Sequence, residues 1–573
     1  MKKLFALTLI VLFACQPKTQ SQSQTNQQPS GENPQTVGTI AESAMVSSTH
    51  PLASEVGFNI LKKGGNAYDA AIAVQFALAV VYPRAGNIGG GGFAVIRKAD
   101  GATDALDFRE KAPSRASRDM YLDKKGDVIK GLSTIGHRAS GVPGSVAGMW
   151  ELHKKHGSLE WKTLIQPAIS LAFEGFELTE RGAKVLNENQ DEFKEANTYK
   201  PWVIREEPWQ MGEIIIQKEL AGTLAFIRDQ GRDGFYKGIV ADQIVKEMAR
   251  GNGIISKEDL ENYQALWRTP IEGTYRGHKV IGMPPPSSGG IALLQLLHGA
   301  DILNLSQEEF HSATHIHLMA EIEKRVYADR SKHLGDADFY DVPVKTLLSE
   351  EYLNERFKGI ERKEATPSKE IAAGEIRAES NETTHFSVVD EEGNAIAITT
   401  TLNGNMGCNV MVKGAGFFLN NEMNDFSSKP GVPNMFGLIG SKANEIAPNK
   451  RMLSSMTPTI VEKDGQLKMI LGTPGGATII TSVFQALLNV VDRDMSMQEA
   501  INHPRYHHQW LPERIYYEKG KMPEKLKRKL ERMGHTTYAR SPIGRMDCIL
   551  IREDGKIEGA SDPTRSDGVA LGY

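Results

Sequence analysis

The sequence predicts an α+β protein built in layers. Three features predict it: helical periodicity dominates from Pro51 to about residue 332, alternating strand patterns set in at Thr383, and the 573 residues, 40% hydrophobic and 24% charged, hold enough apolar material for more than one layer. Charge is nearly balanced, with 67 Lys and Arg against 71 Asp and Glu. With no cationic surplus to neutralise phosphates, nucleic acid is not an expected partner. The three cysteines, Cys15, Cys408 and Cys548, are too few for a disulfide scaffold and lack metal-ligand spacing.

The N-terminus reads as an address. Met1-Lys2-Lys3 precedes an apolar run from Leu4 to Ala14, broken only by Thr8, and then Cys15. Eleven residues are too few to span a bilayer, which takes about 20 in a helix. Leu12-Phe13-Ala14-Cys15 resembles the lipobox of bacterial lipoproteins, which implies removal of residues 1–14 and lipidation of Cys15 as a membrane anchor. A plain secretory signal is the alternative. Either places the mature chain outside the cytoplasm, facing the periplasm or cell surface. Residues 15–37, rich in Gln, Ser, Thr, Asn and Pro, have almost nothing to bury and read as a tether.

Pro51 to Pro83 reads as two packed helices separated at Gly64-Gly65. Gly89 to Gly92 has the look of a phosphate cradle, but no Lys-Ser/Thr follows and Phe93-Ala94-Val95-Ile96 reads as a strand, so a close-packed turn is expected. Further helices are expected over 143–156, 160–174, 217–230, 237–250, 288–303 and 309–332, with a strand-like stretch at 270–283. Residues 361–382 are polar, carry Pro and Gly, and read as an exposed connector. From Thr383 the chain reads HFSVVD, EEGN, AIAITTTLN: two strands around a turn. A type I turn with Gly393 left-handed sets Asp390 opposite Asn394, and therefore Thr383 opposite Thr401, with Asn403 on the same face. From Ala477 to Val491 a further helix follows the apolar strand 467–472.

A threonine hydroxyl is a poor nucleophile without a base, and no G-x-S-x-G elbow or Ser/His/Asp signature is present. If the bond before Thr383 is cut, the new α-amine, with a pKa of about 8, can serve as base on the same residue. On spacing alone, Thr383-Thr384 and Thr399 to Thr401 are equally good strand formers.

Several blocks, in order and at matching spacing, resemble the γ-glutamyltransferase family. They are Glu379 to Ser387, Asn420 to Phe426, Pro448 to Met456, Gly472-Thr473-Pro474-Gly475-Gly476, Gly64 to Ala71, Asp107-Phe108-Arg109-Glu110, Gly141 to Gly144 and Gly559 to Pro563. The resemblance spans about residues 38–573. It implies the four-layer αββα sandwich of N-terminal nucleophile hydrolases. It also implies self-cleavage between Glu382 and Thr383 into a large subunit, 38–382, and a small one, 383–573, that remain a heterodimer. Thr383 matches the nucleophile, Thr401 the residue that orients it, and Gly475 and Gly476 the oxyanion hole. Arg109, Ser454 and Ser455 match the residues that hold the substrate α-carboxylate; Asn403, Glu422 and Asp425 match those that hold its α-ammonium. Phe436 stands where many members place a lid tyrosine whose hydroxyl bonds the residue matching Asn403, a bond Phe cannot make. Cys408 has no derivable role beyond a small buried hydrophobe. The implied substrates are glutathione and other γ-glutamyl compounds, with water, amino acids or dipeptides as acceptors and no metal or organic cofactor. A β-lactam acylase of the same superfamily and a non-catalytic surface binding lipoprotein are the alternatives.

Overall fold

Side-chain alternation along the strands is what produces the layers. In the computed structural model, which describes residues 35–371, 383–429, 431–564 and 567–573, the two large sheets take seven strands from before Thr383: β1 (Thr39–Ala41), β2 (Met45–Ser48), β3 (Gly91–Arg97), β4 (Thr103–Asp107), β5 (Leu266–Arg268), β6 (Ile271–Tyr275) and β7 (His278–Gly282). They take seven more from after it: β8 (Thr384–Val389), β9 (Ala395–Thr401), β10 (Thr459–Lys463), β11 (Gln466–Leu471), β12 (Asp547–Ile551), β13 (Ile557–Ser561) and β14 (Val569–Gly572). These strands form two antiparallel seven-stranded sheets, β1-β13-β12-β11-β10-β7-β6 and β14-β2-β8-β9-β3-β4-β5. Two small sheets lie outside this core.

In β9, Ala395 and Ala397 face an apolar layer between the sheets, shared with Phe93, Val95, Ile460 and Ile549. Ile396 and Ile398 face the other way, into a core shared with α1 (Pro51–Lys62), α2 (Ala67–Val81), α3 (Ser145–His156) and α4 (Trp161–Glu174). Val461, Met469 and Leu471 likewise face α5 (Gly289–Ile302), α6 (Ala313–His333) and α7 (Thr478–Arg493). The result is the expected αββα sandwich.

Helix α2 is buried along its whole length, matching its unbroken apolar run, and a capping box between Asn66 and Asp69 starts it. The hairpin has the register read from its turn: Thr384 lies opposite Thr400, His385 opposite Thr399 and Val389 opposite Ala395. Gly393 has φ +86°, and Asp390 N–H donates to the Asn394 carbonyl. Gly89 to Gly92 is a close-packed turn. A Cβ on Gly90 would lie 2.0 Å from the Thr401 carbonyl oxygen, so β9 reaches this turn only because side chains are absent.

Three expectations need correction. The stretch 270–283 is a hairpin, β6 and β7, turning at Arg276 and Gly277, both with positive φ. Helix α6 starts at Ala313 rather than near 309, because Ser312 caps it by accepting the His315 N–H. The connector is not exposed throughout. Over 361–371, Ser368 and Ile371 are buried, Lys324 donates to the Thr366 carbonyl, and Trp510 Nε1 donates to the Ser368 and Ile371 carbonyls. Its remainder, 372–382, lies outside the described residues, as do the expected signal segment, Cys15 and most of the tether.

Candidate active site

Thr383 immediately precedes β8, and Thr401 ends its hairpin partner β9. Both side chains point to the inter-sheet face, and their hydroxyl oxygens are 3.5 Å apart. Asn403 adopts a left-handed turn at φ +75°, which asparagine tolerates, and its N–H donates to Thr401 Oγ1 at 2.7 Å. The turn therefore fixes the hydroxyl that faces Thr383. Beneath them on the same face His385 bonds Thr399 Oγ1 at 2.9 Å; burial pushes its imidazole down to about 3, so it is neutral.

A cleft opens at this point. Of the positions singled out in the sequence for chemistry or substrate contact, it is lined by all except Gly475, which stands one residue behind Gly476. The cleft is divided by charge. On one side is the fully buried Arg109: its Nη1 pairs with Glu422 and lies 3.5 Å from Glu110, and its Nη2 pairs with Asp425 at 2.6 Å. Its Nε and Nη2 also reach the Met452 and Leu453 carbonyls. Burial disfavours the guanidinium charge, but the carboxylates of Glu422, Glu110 and Asp425 outweigh it and hold Arg109 above its usual value. Burial also raises all three acids, against the pull of Arg109. Three acids surround one guanidinium, and among the described residues Glu422 Oε2 has no hydrogen-bond partner. Such a site attracts a cation.

The other side is built by Ser454 and Ser455. Their loop is tied to residues 286–288: Ser454 N–H donates to the Pro286 carbonyl and Ser288 N–H to the Ser454 carbonyl. Behind Ser455 stands Arg330 from α6, whose Nη2 donates to Ser455 Oγ and whose Nε donates to Ser288 Oγ, each at 2.9 Å. Gly475 and Gly476 precede α7 with φ of +143° and +54°, and the Gly475 carbonyl accepts from Thr478 N–H and Oγ1. Phe436 closes the cleft and is 4% exposed. Its ring offers no donor, and the Met435 sulfur next to it lies 3.7 Å from Asn403 Nδ2.

A family model described as Gamma-glutamyltranspeptidase matches residues 53–573. The chain belongs to the γ-glutamyltranspeptidase family. The glutathione hydrolase proenzyme of Escherichia coli (strain K12) is 46% identical over 542 residues, covering 93% of this chain and 92% of that protein. Acylase ACY 1 proenzyme of Pseudomonas sp. (strain SE83) is more distant, at 36% over 92% of this chain and 93% of that protein. The crystal structure of cephalosporin acylase from Bacillus halodurans superposes with a TM-score of 0.81 at 27% identity, covering 97% of this chain and 99% of that one. As a γ-glutamyltranspeptidase the chain is an enzyme, and its layers are those of the N-terminal nucleophile hydrolases.

Two site residues of this γ-glutamyltranspeptidase were missed in the sequence. Glu110 follows Arg109 but carries no spacing signal for its place among the acids. Arg330 lies in a charged stretch of α6 whose sequence reads only as a helix, although His315 to Ser331 are all buried. Among the described residues, one group of metal-ligating type gathers away from the cleft: His317, Glu321 and His535. Its atoms are already engaged. The two imidazoles bond each other at 2.7 Å, His317 Nε2 meets the Glu361 carbonyl, and Glu321 pairs with Lys324 and Arg325. This network needs no ion to be complete. Cys408 is buried and its thiol is pushed up to about 12, which suits an inert side chain.

Proposed function

We propose that this chain is a precursor that cuts itself between Glu382 and Thr383 and then works as a γ-glutamyltransferase and glutathione hydrolase. The freed Thr383 amine takes the proton of its own hydroxyl, and Oγ1 attacks the γ-carbonyl of glutathione or a related γ-glutamyl amide. The C–N bond breaks, the amine leaves with the proton, and a γ-glutamyl ester remains on Thr383. Water or the amine of an amino acid or dipeptide then takes the acyl group and restores the hydroxyl. Thr401 orients Thr383, and Gly475 and Gly476 stabilise the oxyanion. Glu422, Asp425 and Asn403 receive the α-ammonium, and Arg109, Ser454 and Ser455 serve the α-carboxylate. Phe436 acts as a cover that cannot bond Asn403. Lipidation at Cys15 would hold the processed heterodimer on a membrane outside the cytoplasm.

The observation that carries this reading is the meeting of the Thr383 and Thr401 hydroxyls at the mouth of a cleft divided between acids and donors. An acylase that binds an aliphatic acyl chain has no use for the acid cluster, because such a chain carries no ammonium. The test is mass analysis of wild type and Thr383→Ala beside turnover of γ-glutamyl-p-nitroanilide. Wild type is expected as two fragments, the lighter being the 191 residues from Thr383 to Tyr573. Thr383→Ala is expected uncut, with turnover down at least about 10³-fold. Cleavage at another bond, or full turnover by the variant, refutes the reading.

A further inference from the structure

The last helix before the closing strands carries a charge pattern that the γ-glutamyl chemistry does not use. Helix α8 (Glu524–Arg532) packs Leu526 and Leu530 against the core shared by α6 and α7. Lys525, Arg528, Lys529 and Arg532 recur at the helical spacing of i, i+3, i+4 and i+7, so they stand on one face, and all four are exposed. Glu524 and Glu531, seven residues apart, keep to one flank, where they pair with Arg528 at 3.3 Å and Lys527 at 3.9 Å. Among the described residues Lys525 and Lys529 make no ion pair.

Over residues 519–540 the chain holds eight Lys and Arg against two Glu, a net +6 within a chain whose total is −4. The neighbouring segment 361–370, whose Ala365 N–H donates to the Met533 carbonyl, holds three cations and three acids and leaves that balance unchanged. A solvated helix face usually mixes signs, whereas four like charges on one face repel each other, and an anionic surface relieves that repulsion. Packed beside the helix, the edge strand Thr537–Arg540 of a small outer sheet presents Tyr538, 52% exposed, with the Arg514 guanidinium 5.2 Å from its ring centre. A phenol that is apolar in its ring and polar at its tip suits the boundary between headgroups and acyl chains.

From this placement we infer that α8 and Tyr538 form a docking surface for a bilayer carrying anionic phospholipid headgroups. The inference goes beyond the catalytic reading and needs no step of it. None of the four cations lines the cleft beside Thr383, so docking and turnover are separable. A lipid at Cys15, as proposed above, would limit the distance between body and membrane through the 23 residues of 15–37, but it would not choose which face meets the bilayer. The cationic stripe makes that choice. Stable anchoring takes two signals, and a basic patch together with a lipid chain is such a pair. Each Lys or Arg held within a Debye length of an anionic surface strengthens binding about fivefold, so four on one face act together where a single one would be too weak.

The experiment is cosedimentation with vesicles, using the chain from Gln16 onward, which keeps the whole body but has neither the signal segment nor the Cys15 anchor. Wild type should sediment with phosphatidylcholine vesicles containing about 30% phosphatidylglycerol and stay in solution with phosphatidylcholine alone. Raising salt from about 50 to about 300 mM should weaken binding at least about tenfold. Lys525→Gln combined with Lys529→Gln should weaken it about 10- to 30-fold, and Tyr538→Ala about threefold. Circular dichroism spectra matching wild type show that these surface variants fold. Inorganic phosphate, which carries the headgroup charge without a bilayer, should displace nothing at constant ionic strength. Equal binding to both vesicle types, no binding to either, unchanged binding by the double variant, or displacement by inorganic phosphate overturns the inference. A wild type that binds the anionic vesicles but does not turn over γ-glutamyl-p-nitroanilide supports it and defeats the catalytic reading instead.

Discussion

An oxyanion donor helps only if it is aimed before the reaction begins, and the two glycines ahead of α7 are held in conformations that differ in their tolerance of a side chain. Gly475, at φ +143°, occupies a region closed to L-residues, and a Cβ there would lie 2.5 Å from Thr478 Oγ1. Gly476, at φ +54°, lies in the left-handed region, where alanine costs about 1 kcal/mol. Gly475→Ala is therefore expected to lower kcat about 100-fold with KM within about threefold, and Gly476→Ala to do less harm. Steady-state kinetics on the p-nitroanilide decide it. A rise in KM at constant kcat would remove the pair from transition-state stabilisation. At this scale the sequence disclosed what depends on neighbours along the chain. Thr383 and Thr401 are brought together by one turn, and the Gly-Gly pair by one strand-to-helix junction. Arg330 stayed hidden because its place in the cleft is set by Ser288 and Ser455, 42 and 125 residues away, and in sequence it looks like any arginine on a charged helix. The pairing of Arg109 was hidden for the same reason, since its partners come from 313 and 316 residues away.

The hairpin that carries Thr383 is anchored by its turn. Asp390 accepts the Asn394 backbone N–H and side-chain amide, and its Oδ2 also accepts the Ala67 N–H at the start of α2. One side chain thus joins the turn to the covering helix, with its carboxylate buried among donors. Asp390→Ala strands the Ala67 N–H in the interior and should cost about 2–3 kcal/mol. Gly393→Ala, at φ +86° with open space beyond its Cα, should cost about 1 kcal/mol. Urea unfolding midpoints of the two variants test the order; a larger loss at Gly393 would show that the turn geometry outweighs the helix contact. Elements with long, regular patterns were readable: α2, α7, β8 and β9 fall within a few residues of their expected limits. In the first half, β3 was readable at Phe93 to Ile96 and β6 with β7 as one stretch, but the other strands were not. β1 and β5 have three residues each, too short for a period of two to stand out, and β6 and β7 merge into one strand-like stretch until the left-handed Arg276-Gly277 turn divides them.

Taken as a whole, the molecule is woven across the proposed cut. Each sheet draws strands from both sides of Thr383, and five ladders join the two segments: β1 to β13, β2 to β8, β2 to β14, β3 to β9 and β7 to β10. The inter-sheet layer mixes the same two sets of strands, with Phe93, Val95 and Ile281 from the first packing beside Ala397, Ile460 and Ile549 from the second. Cutting one peptide bond removes no ladder and exposes none of this apolar surface. Separating the fragments would bare edge strands and a core face at once, at a cost far above that of ordinary association. The processed protein is therefore expected to elute as a single species in native size-exclusion chromatography even at nanomolar dilution. It should still do so in 1 M salt, because an apolar, hydrogen-bonded interface is weakly screened. The two fragments should part only in denaturant, with one shared unfolding transition by tryptophan fluorescence and circular dichroism. Two peaks under native conditions, or two separate transitions, would mean that the halves fold independently, which the shared sheets do not allow.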